Sequence, residues 1–422
     1  MKILFISLGC DKNLVDSEVM LGLLTKNGYT LTDDETQADV IVINTCCFIH
    51  DAKEESINTI LEMAQYKEQN LKALVVAGCL AERYKDEILK EIPEIDAVLG
   101  TTSYDSIVEA VNMALAENAG EHFEHYESID YLPDNSEVER VVTTGNHMAY
   151  LKIAEGCDKR CSYCIIPKIR GHFRSVPMEE LLNEAKRLAS EGVKELVLVA
   201  QETTLYGKDL TGEKQLPLLL HELCKIEGIE WIRLLYCYPE EITDELIEAI
   251  KTEEKVCNYI DMPIQHSENR ILQRMGRRTS REDLVAVIKK LRQEIPDITI
   301  RTTLITGFPG ESEEDHEGLM NFVEECKFDR LGVFTYSPEE DTLAATFEDQ
   351  IDEEVKEARR DELMSLQQEI SYEHTQQLVG KTIKVMVEGY LFEDDIYVGR
   401  SYMDAPKVDG CVFINSPEEL MT

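Results

Sequence analysis

The sequence predicts an α/β protein with three parts: an N-terminal domain on a parallel sheet, a central incomplete barrel of six strand–helix repeats, and a small C-terminal β-domain. Two observations lead to this prediction. Short apolar runs alternate with helical patterns through residues 1–350, which is typical of parallel sheets covered by helices. Residues 379–422 carry strand patterns with no helical pattern between them. A chain of 422 residues is long enough for several domains, because one domain usually holds about 100–200 residues.

Three apolar strands of the first domain, residues 1–120, each end in a cysteine: Cys10, Cys46 and Cys79. Parallel strands joined by helices end on one side of the sheet, and ligand sites lie beyond that side. The three thiols should therefore converge, and they could hold three irons of a cubic cluster and leave the fourth iron open. Cys47 should point away, since neighbouring side chains of a strand diverge. The alternative is a set of three inert, buried cysteines.

The other predicted elements of the first domain are helices at about 16–26, 52–66, up to 92 and 103–116, and a strand at 97–99. Residues 121–147 are acidic and irregular, which predicts a linker with one short strand at 140–142. His122 and His125 lie in this stretch, and we expect them to be ordinary exposed histidines.

The central region, residues 148–350, repeats the strand–helix pattern six times. Strands are predicted at 149–154, 195–200, 231–236, 259–262, 299–306 and 331–336, with helices such as 178–191 and 281–293 between them. Six repeats suit an incomplete relative of the eightfold barrel, whose active site lies at the carboxyl ends of the strands.

Cys157, Cys161 and Cys164 follow the first predicted barrel strand. Three thiolates this close can hold three corners of an iron–sulfur cluster and leave one iron free for chemistry. The spacing, with Tyr163 before the third cysteine, resembles the radical S-adenosylmethionine (SAM) superfamily. The alternative is a zinc knot, which needs a fourth ligand, and His172 is the nearest histidine.

Polar loops after later barrel strands should complete this site. They lie at 201–207, 263–267 and 306–311, where glycines allow a ligand to approach the backbone. Polar residues at strand ends also cap helices, and Ser312 is predicted to be the N-cap of the acidic helix that follows.

The C-terminal part begins with a helical connector at 351–378. Strands at 381–388, 395–400 and 411–415 then predict a β-domain at 379–422. A closed OB-like barrel needs about five strands. We therefore expect this domain to be incomplete, with an exposed sheet edge.

Composition sets limits on location and partners. The remaining cysteines have no paired spacing, and neither a secretion signal nor a membrane-length apolar stretch is present, so we expect a cytoplasmic protein with reduced thiols. A formal charge of −40, from 43 Lys and Arg against 83 Asp and Glu, should repel nucleic acid and attract a basic protein. The alternative is that the acidity only aids solubility. The basic run at 274–281 suits a solvated helix end as well as a binding patch.

Five stretches together resemble one family, the radical SAM methylthiotransferases. This family combines an N-terminal three-cysteine domain, a radical SAM core and a small β-domain called TRAM. The stretches also resemble the branch that modifies a ribosomal protein, rather than the branch that modifies tRNA. They are residues 8–13, 44–49, 52–56, 164–171 and 262–266.

The resemblance implies two 4Fe–4S clusters, one at each set of three cysteines, and SAM at the second cluster with Tyr163 near its adenine. We also expect Gln201, Thr303 and Gly307 to contact SAM. In this family a SAM-derived radical removes a hydrogen atom that acid–base side chains cannot remove. The branch adds a methylthio group to the β-carbon of an aspartate in the twelfth small-subunit ribosomal protein, which is basic. A flavodoxin or ferredoxin is the implied electron donor.

Two other functions are compatible with parts of the sequence. A tRNA adenosine methylthiotransferase would use the same chemistry on another substrate. A two-cluster electron carrier would use no SAM, but it would not need the polar loops at the barrel mouth, and carriers usually ligate every iron with protein thiolates.

Overall fold

The computed structural model describes residues 1–116 and 122–421. The N-terminal domain is a six-stranded parallel sheet in the order β2-β1-β3-β4-β5-β6. Because β2 and β3 lie on opposite sides of β1, the strand order reverses there, which is where open α/β sheets bind their ligands. The strands are β1 (Lys2–Ser7), β2 (Thr30–Leu31), β3 (Val40–Thr45), β4 (Ala73–Gly78), β5 (Ala97–Leu99) and β6 (Phe123–His125).

Helices cover both faces of this sheet, and β3 and β4 are buried along their whole length. One apolar core lies on each face, so the strands read as continuous apolar runs rather than as alternating ones. The helices are α1 (Asp11–Lys26), α2 (His50–Ala64), α3 (Cys79–Arg83), α4 (Lys85–Glu91) and α5 (Ile107–Ala114).

The central domain is an open barrel of six parallel strands that lie side by side in chain order. These strands are β7 (Met148–Lys152), β10 (Glu195–Val199), β11 (Trp231–Leu234), β12 (Val256–Asp261), β13 (Thr299–Thr306) and β14 (Arg330–Thr335). A short antiparallel pair, β8 (Ala154–Glu155) and β9 (Arg174–Ser175), follows β7.

Alternate residues of the barrel strands face two different cores. Leu196 and Leu198 pack outward against the surrounding helices, whereas Val197 and Tyr259 face the barrel interior. The helices are α6 (Ile166–Arg170), α7 (Met178–Ser190), α8 (Lys208–Thr211), α9 (Leu216–Cys224), α10 (Asp244–Thr252), α11 (Asn269–Arg274), α12 (Arg281–Glu294) and α13 (Glu313–Cys326). The capping box of Ser312 confirms the predicted start of the acidic helix α13.

The C-terminal part consists of helix α14 (Glu353–Gln376) and an antiparallel sheet of β15 (Val385–Leu391), β16 (Ile396–Ser401) and β17 (Val412–Ile414). The segment after β16 packs against the barrel interior, where Ala405 joins the same core as Tyr259. None of the described helices is long and apolar enough to cross a membrane.

Buried ion pairs attach this C-terminal segment to the barrel. Glu195 on β10 accepts hydrogen bonds from Arg233 Nε at 2.7 Å and from Arg400 Nη2 at 2.5 Å, and all three side chains are at most 3% exposed. Arg330 on β14 similarly donates to Asp404 at 2.6 Å. The end of β16 and the segment after it are therefore attached to the barrel.

All six predicted barrel strands are confirmed, and β12 begins three residues earlier than predicted. The predicted strand at 140–142 is wrong, because Val141 donates its N–H to Glu18 O and the buried Arg140 guanidinium bonds to Glu18 and Glu184. These contacts bind this stretch to α1 instead of to a sheet. β6 lies within the predicted linker, while the boundary predicted at residues 120 and 121 falls outside the described residues.

Replacing Glu195 by glutamine tests the buried attachment. The substitution leaves the guanidiniums of Arg233 and Arg400 without their shared counter-charge, so it should lower the free energy of unfolding by about 3–5 kcal/mol. Urea denaturation followed by the fluorescence of Trp231, the single tryptophan, reports on the barrel directly.

Glu230→Gln is the matched control, because Glu230 also joins the barrel to the C-terminal part. Its partner is Lys384 at 2.8 Å, and both side chains are more than half exposed, so the change should cost only ~0–1 kcal/mol. Equal losses in the two variants would contradict the account of the attachment.

Candidate active site at the junction of the two parallel sheets

The structure brings Cys10, Cys46 and Cys79 together beyond the carboxyl ends of β1, β3 and β4. A Cβ added to Gly9, the residue before Cys10, would lie 2.9 Å from Cys46 Sγ. Cys79 Sγ lies 3.9 Å from Asn13 Oδ1 on α1, the helix that begins directly after Cys10. We call these three residues the N-terminal cysteine site. Cys47 points away as predicted, and it packs in the core of the domain.

A metal that binds at the N-terminal cysteine site must displace the protons of its thiols. Burial is the main cause that raises the pKa of Cys46 and Cys79, so the free thiols hold their protons. Metal ligation requires thiolates, and a bound metal supplies the charge that removes those protons. Cys10 occupies the N-cap position of α1.

Cys157, Cys161 and Cys164 lie in the loop that β8 and β9 close, and we call them the barrel cysteine site. The N–H of Cys164 donates to Cys161 O at 3.1 Å, which closes a turn over residues 161–164, and the N–H of Cys157 donates to Gly171 O at 3.1 Å. Burial raises the pKa of Cys157 to about 12 and that of Cys164 further still. Ser162 fixes the turn through its hydroxyl, which donates to Arg274 O at 2.8 Å.

The zinc alternative finds no support in this geometry. His172 lies 2.6 Å from Asp158 through its Nδ1, and its side chain is 63% exposed. Among the described residues, no three His, Cys, Asp or Glu side chains are arranged around a position for a single metal ion. A cubic cluster differs from such a site, because each thiolate binds a different iron.

Unpartnered buried polar atoms line the mouth of the barrel beside the barrel cysteine site. Gln201 donates from Nε2 to Glu155 Oε1 at 2.5 Å, while its Oε1 has no hydrogen-bond partner. Arg277 packs its guanidinium 4.4 Å from the ring centre of Tyr238, and its Nε has no partner. Buried polar atoms are normally paired, so these atoms indicate the binding of a polar ligand.

Glu202 belongs to the same group of residues. The sequence placed it in the polar loop predicted at 201–207 but did not single it out as a contact. Its Oε1 accepts from the N–H of Thr204 at 2.9 Å, while its Oε2 has no hydrogen-bond partner and forms an ion pair with Lys159 Nζ at 3.6 Å. Burial raises the pKa of Glu202 to about 7. Its place directly after β10, at a strand end of a barrel, was the signal that could have identified it.

The other predicted SAM contacts have different surroundings. Tyr163 packs edge-on against Phe308 with ring centres 6.4 Å apart, and Thr303 accepts from Arg301 Nη1 at 3.3 Å. Gly307 has φ +66°, and a Cβ there would clash with Lys356 of α14. The side of Gly307 that a Cβ would occupy therefore faces Lys356 of α14, and the expected contact of the Gly307 backbone with SAM stays a prediction.

A buried arginine connects the two cysteine sites. Arg170, the last residue of α6, donates to Cys79 Sγ at 3.3 Å, to Asp16 Oδ2 at 2.9 Å and to Glu155 Oε2 at 3.2 Å. It also donates to Asn13 Oδ1. The guanidinium thus touches a thiol of the first site from a helix that directly follows the second.

Lys152 completes this group of charges. Its ammonium donates to Asp16 and, at 2.9 Å, to Glu155 Oε2. Two cations and two carboxylates, each side chain at most 5% exposed, therefore share one buried space between the domains. We call Asp16, Lys152, Glu155 and Arg170 the junction quartet.

Further contacts join loops that follow strand ends in both sheets. Lys12 lies 2.8 Å from Asp11 and 3.4 Å from the ring centre of Tyr236, which follows β11. Arg83 pairs with Glu339 after β14 at 3.1 Å, with both side chains 4% exposed. The two cysteine sites are thus on facing ends of the two sheets.

Family models match all three parts of the chain. They are the uncharacterized protein family UPF0004 over residues 2–100, the radical SAM superfamily over 151–323 and the TRAM domain over 379–422. Together with the barrel and its cysteines, these matches make the chain a radical SAM enzyme with an additional N-terminal domain.

Curated relatives narrow this class to one family. The ribosomal protein uS12 methylthiotransferase RimO of Lachnoclostridium phytofermentans is 63% identical over 423 residues, which cover 100% of this chain and 95% of that protein. The RimO of Clostridium perfringens strain 13 is 53% identical, covering 98% and 92%. The chain belongs to the RimO family of methylthiotransferases.

Solved structures with a similar fold are radical SAM enzymes as well. The methyltransferase TsrM from Kitasatospora setae, with cobalamin and a [4Fe-4S] cluster bound, gives a TM-score of 0.59 at 14% identity, covering 81% of this chain and 76% of that one. OxsB with aqua-cobalamin and S-adenosylmethionine bound gives 0.54 at 12% identity, covering 88% and 56%. At these identities the likeness concerns the fold alone.

The raised pKa of Glu202 predicts a pH dependence of stability in the metal-free protein. The folded state holds this proton up to about pH 7, against an ordinary 4.5, so the stabilisation is complete below the ordinary value and is lost as pH rises through about 7. Between about pH 5 and pH 8, wild type should lose up to ~3 kcal/mol relative to Glu202→Gln. Urea denaturation at each pH measures this difference.

Glu248→Gln, at an exposed position of α10, is the matched control and should follow wild type at every pH. A pH-independent difference between wild type and Glu202→Gln would contradict the burial of an ionisable carboxyl at the barrel mouth.

Proposed function

We propose that this chain adds a methylthio group to the β-carbon of an aspartate in ribosomal protein uS12. The observation that supports this most strongly is the position of two three-cysteine sites on facing ends of two sheets. A single radical SAM site needs only one cluster. Transfer of a sulfur group to an unactivated carbon needs a second metal site close to the first.

The donor sets fit two 4Fe–4S clusters. Each site offers three thiols of the kind that bind a cluster with one iron left open. When bound, the clusters and SAM supply the radical and the sulfur that amino-acid side chains lack. The chain contributes the ligands, namely Cys10, Cys46 and Cys79 for one cluster and Cys157, Cys161 and Cys164 for the other.

The barrel mouth has groups suited to SAM. Glu202 Oε2 accepts no hydrogen bond and has only the ion pair with Lys159 at 3.6 Å, so it can still accept a hydrogen bond from the amino group of SAM. The free Oε1 of Gln201 is an acceptor beside it, and Tyr163 offers an aromatic ring next to a ligand cysteine. We propose Glu202, Gln201, Tyr163 and Thr303 as SAM contacts. Gly307, also predicted from the sequence, can contribute only through its backbone, since Lys356 packs beside it.

Charge supports the choice of a protein substrate. A formal charge of −40 attracts a basic protein such as uS12 and disfavours tRNA. Two arginines of the basic run at 274–281 form ion pairs within the chain: Arg274 pairs with Asp349, and Arg281 pairs with Glu268.

We further propose a flavodoxin or ferredoxin as electron donor and the cytoplasm as location, because free thiols require a reducing compartment.

Metal content tests the two cysteine sites. Anaerobically reconstituted protein should hold about eight irons per chain, from two clusters of four. Replacing Cys157, Cys161 and Cys164 by alanine should remove about half of the iron and all SAM cleavage. Iron analysis and the yield of 5′-deoxyadenosine measure both effects.

Alanine at Cys10, Cys46 and Cys79 should also remove about half of the iron but keep SAM cleavage, and it should abolish sulfur transfer. The matched control replaces three cysteines away from the junction, Cys224, Cys326 and Cys411, and should keep all the iron. Full iron content in either site variant would refute the assignment of that site.

The substrate is tested with purified uS12 and bulk tRNA under turnover conditions. Mass spectrometry should find a methylthio group on one aspartate of uS12 and none on tRNA. Association with uS12 should slow steeply with salt, because screening shortens charge interactions to ~10 Å at 0.1 M. A modified adenosine in tRNA with uS12 unchanged would assign the chain the other substrate.

A further inference from the structure

Arg170 belongs to the barrel domain but contacts the N-terminal cysteine site. Helix α6 follows Cys164 directly, and its last residue donates from Nη2 to Cys79 Sγ at 3.3 Å. The helix itself is embedded in the N-terminal domain, since Ile165 and Ile169 pack in that domain's core. One short helix therefore connects a ligand of each proposed cluster.

The guanidinium of Arg170 has little freedom to leave this position. Its side chain is 3% exposed, and Asp16, Glu155 and Asn13 accept from its other N–H groups. Turning it away would leave a buried carboxylate short of a partner, which is costly. The backbone is held as well, because Thr101 Oγ1 donates to Ile169 O at 2.7 Å.

The charges around Arg170 balance without the thiol. Asp16 and Glu155 are matched by Lys152 and Arg170, so the junction quartet has no net charge. Besides the effect of its positive charge, Arg170 therefore acts on Cys79 through an N–H donor held against the sulfur. Hydrogen bonds to ligand sulfurs stabilise the added electron of an iron–sulfur cluster and raise its reduction potential.

We propose that Arg170 is a positioning residue that donates a hydrogen bond to the Cys79 sulfur of the loaded N-terminal cluster, raises the reduction potential of that cluster, and fixes it relative to the barrel cysteine site. This role rests on the proposed function, because it requires a cluster at the N-terminal cysteine site. It assigns to Arg170 a task beyond holding the two domains together.

The test uses the full chain with Cys157, Cys161 and Cys164 replaced by alanine, so that only the N-terminal cluster is present after reconstitution. A redox titration followed by electron paramagnetic resonance gives the midpoint potential of this parent and of its Arg170→Lys variant. Lysine keeps the charge for Asp16 and Glu155 but lacks the fork that also reaches Cys79. We expect unchanged iron content, a more negative midpoint potential and an altered spectrum of the reduced cluster.

Arg140→Lys in the same parent is the matched control. Arg140 is 2% exposed and also joins α1 to the barrel, by donating to Glu18 and to Tyr150 O, but its contacts are with oxygen atoms alone. It should lower the unfolding temperature and leave the potential at the parent value. If Arg170 served folding alone, Arg170→Lys and Arg140→Lys should both lower the unfolding temperature and leave the midpoint potential at the parent value.

Three outcomes would overturn the proposal. An Arg170→Lys protein that keeps its cluster and the parent potential would refute the role of Arg170 while leaving the proposed function intact. Equal shifts in the Arg140 and Arg170 variants would reduce the effect to domain packing. A parent that holds no iron would refute the N-terminal cluster and this role with it.

Arg170→Gln, which also removes the charge, should shift the midpoint potential further in the negative direction than Arg170→Lys does.

Discussion

The buried junction quartet is the interaction on which the rest of the site depends. Asp16 belongs to α1 of the first domain, whereas Lys152, Glu155 and Arg170 belong to the barrel. Isolated charges in such a space would be strongly unfavourable, and removing one partner of a buried pair typically costs about 3–5 kcal/mol. Separating the domains would expose the quartet and take Asp16 away from both Lys152 and Arg170, and this cost favours the observed arrangement of the two cysteine sites.

This arrangement follows from a rule that both sheets obey. Parallel strands place their carboxyl ends on one side, and ligand sites form beyond that side. In the first sheet Cys10, Cys46 and Cys79 follow strand ends, and in the second Glu155 and Glu202 do so. Because the loops of the two sheets contact each other, the two sites share one junction. The C-terminal segment packs within the barrel interior and leaves this junction to the loops.

The sequence was sufficient for features that depend on local pattern. Apolar runs predicted the barrel strands, and a cysteine after each of three runs predicted the N-terminal site. The same reasoning placed Glu202 only within the polar loop at 201–207, and it did not find Arg170, because the role of Arg170 arises from contacts with distant segments that leave no periodic signal. The stretch at 140–142 shows the opposite error, a predicted element that is not there. Its apolar pair resembled a strand, but the buried pairing of Arg140 with Glu18 holds the stretch against α1. The packing of Lys356 beside Gly307 is likewise a contact between distant segments that the sequence pattern does not show.

The central claim is that the two cysteine sites lie across a single junction and hold two clusters close together. The most direct measurement is the electron paramagnetic resonance spectrum of the fully reduced, reconstituted protein, compared with the sum of the spectra of the two triple-cysteine variants. Magnetic coupling between two paramagnetic clusters falls steeply with distance. The account predicts a spectrum broadened or split relative to that sum. A spectrum identical to the sum, with both clusters fully reduced, would contradict it.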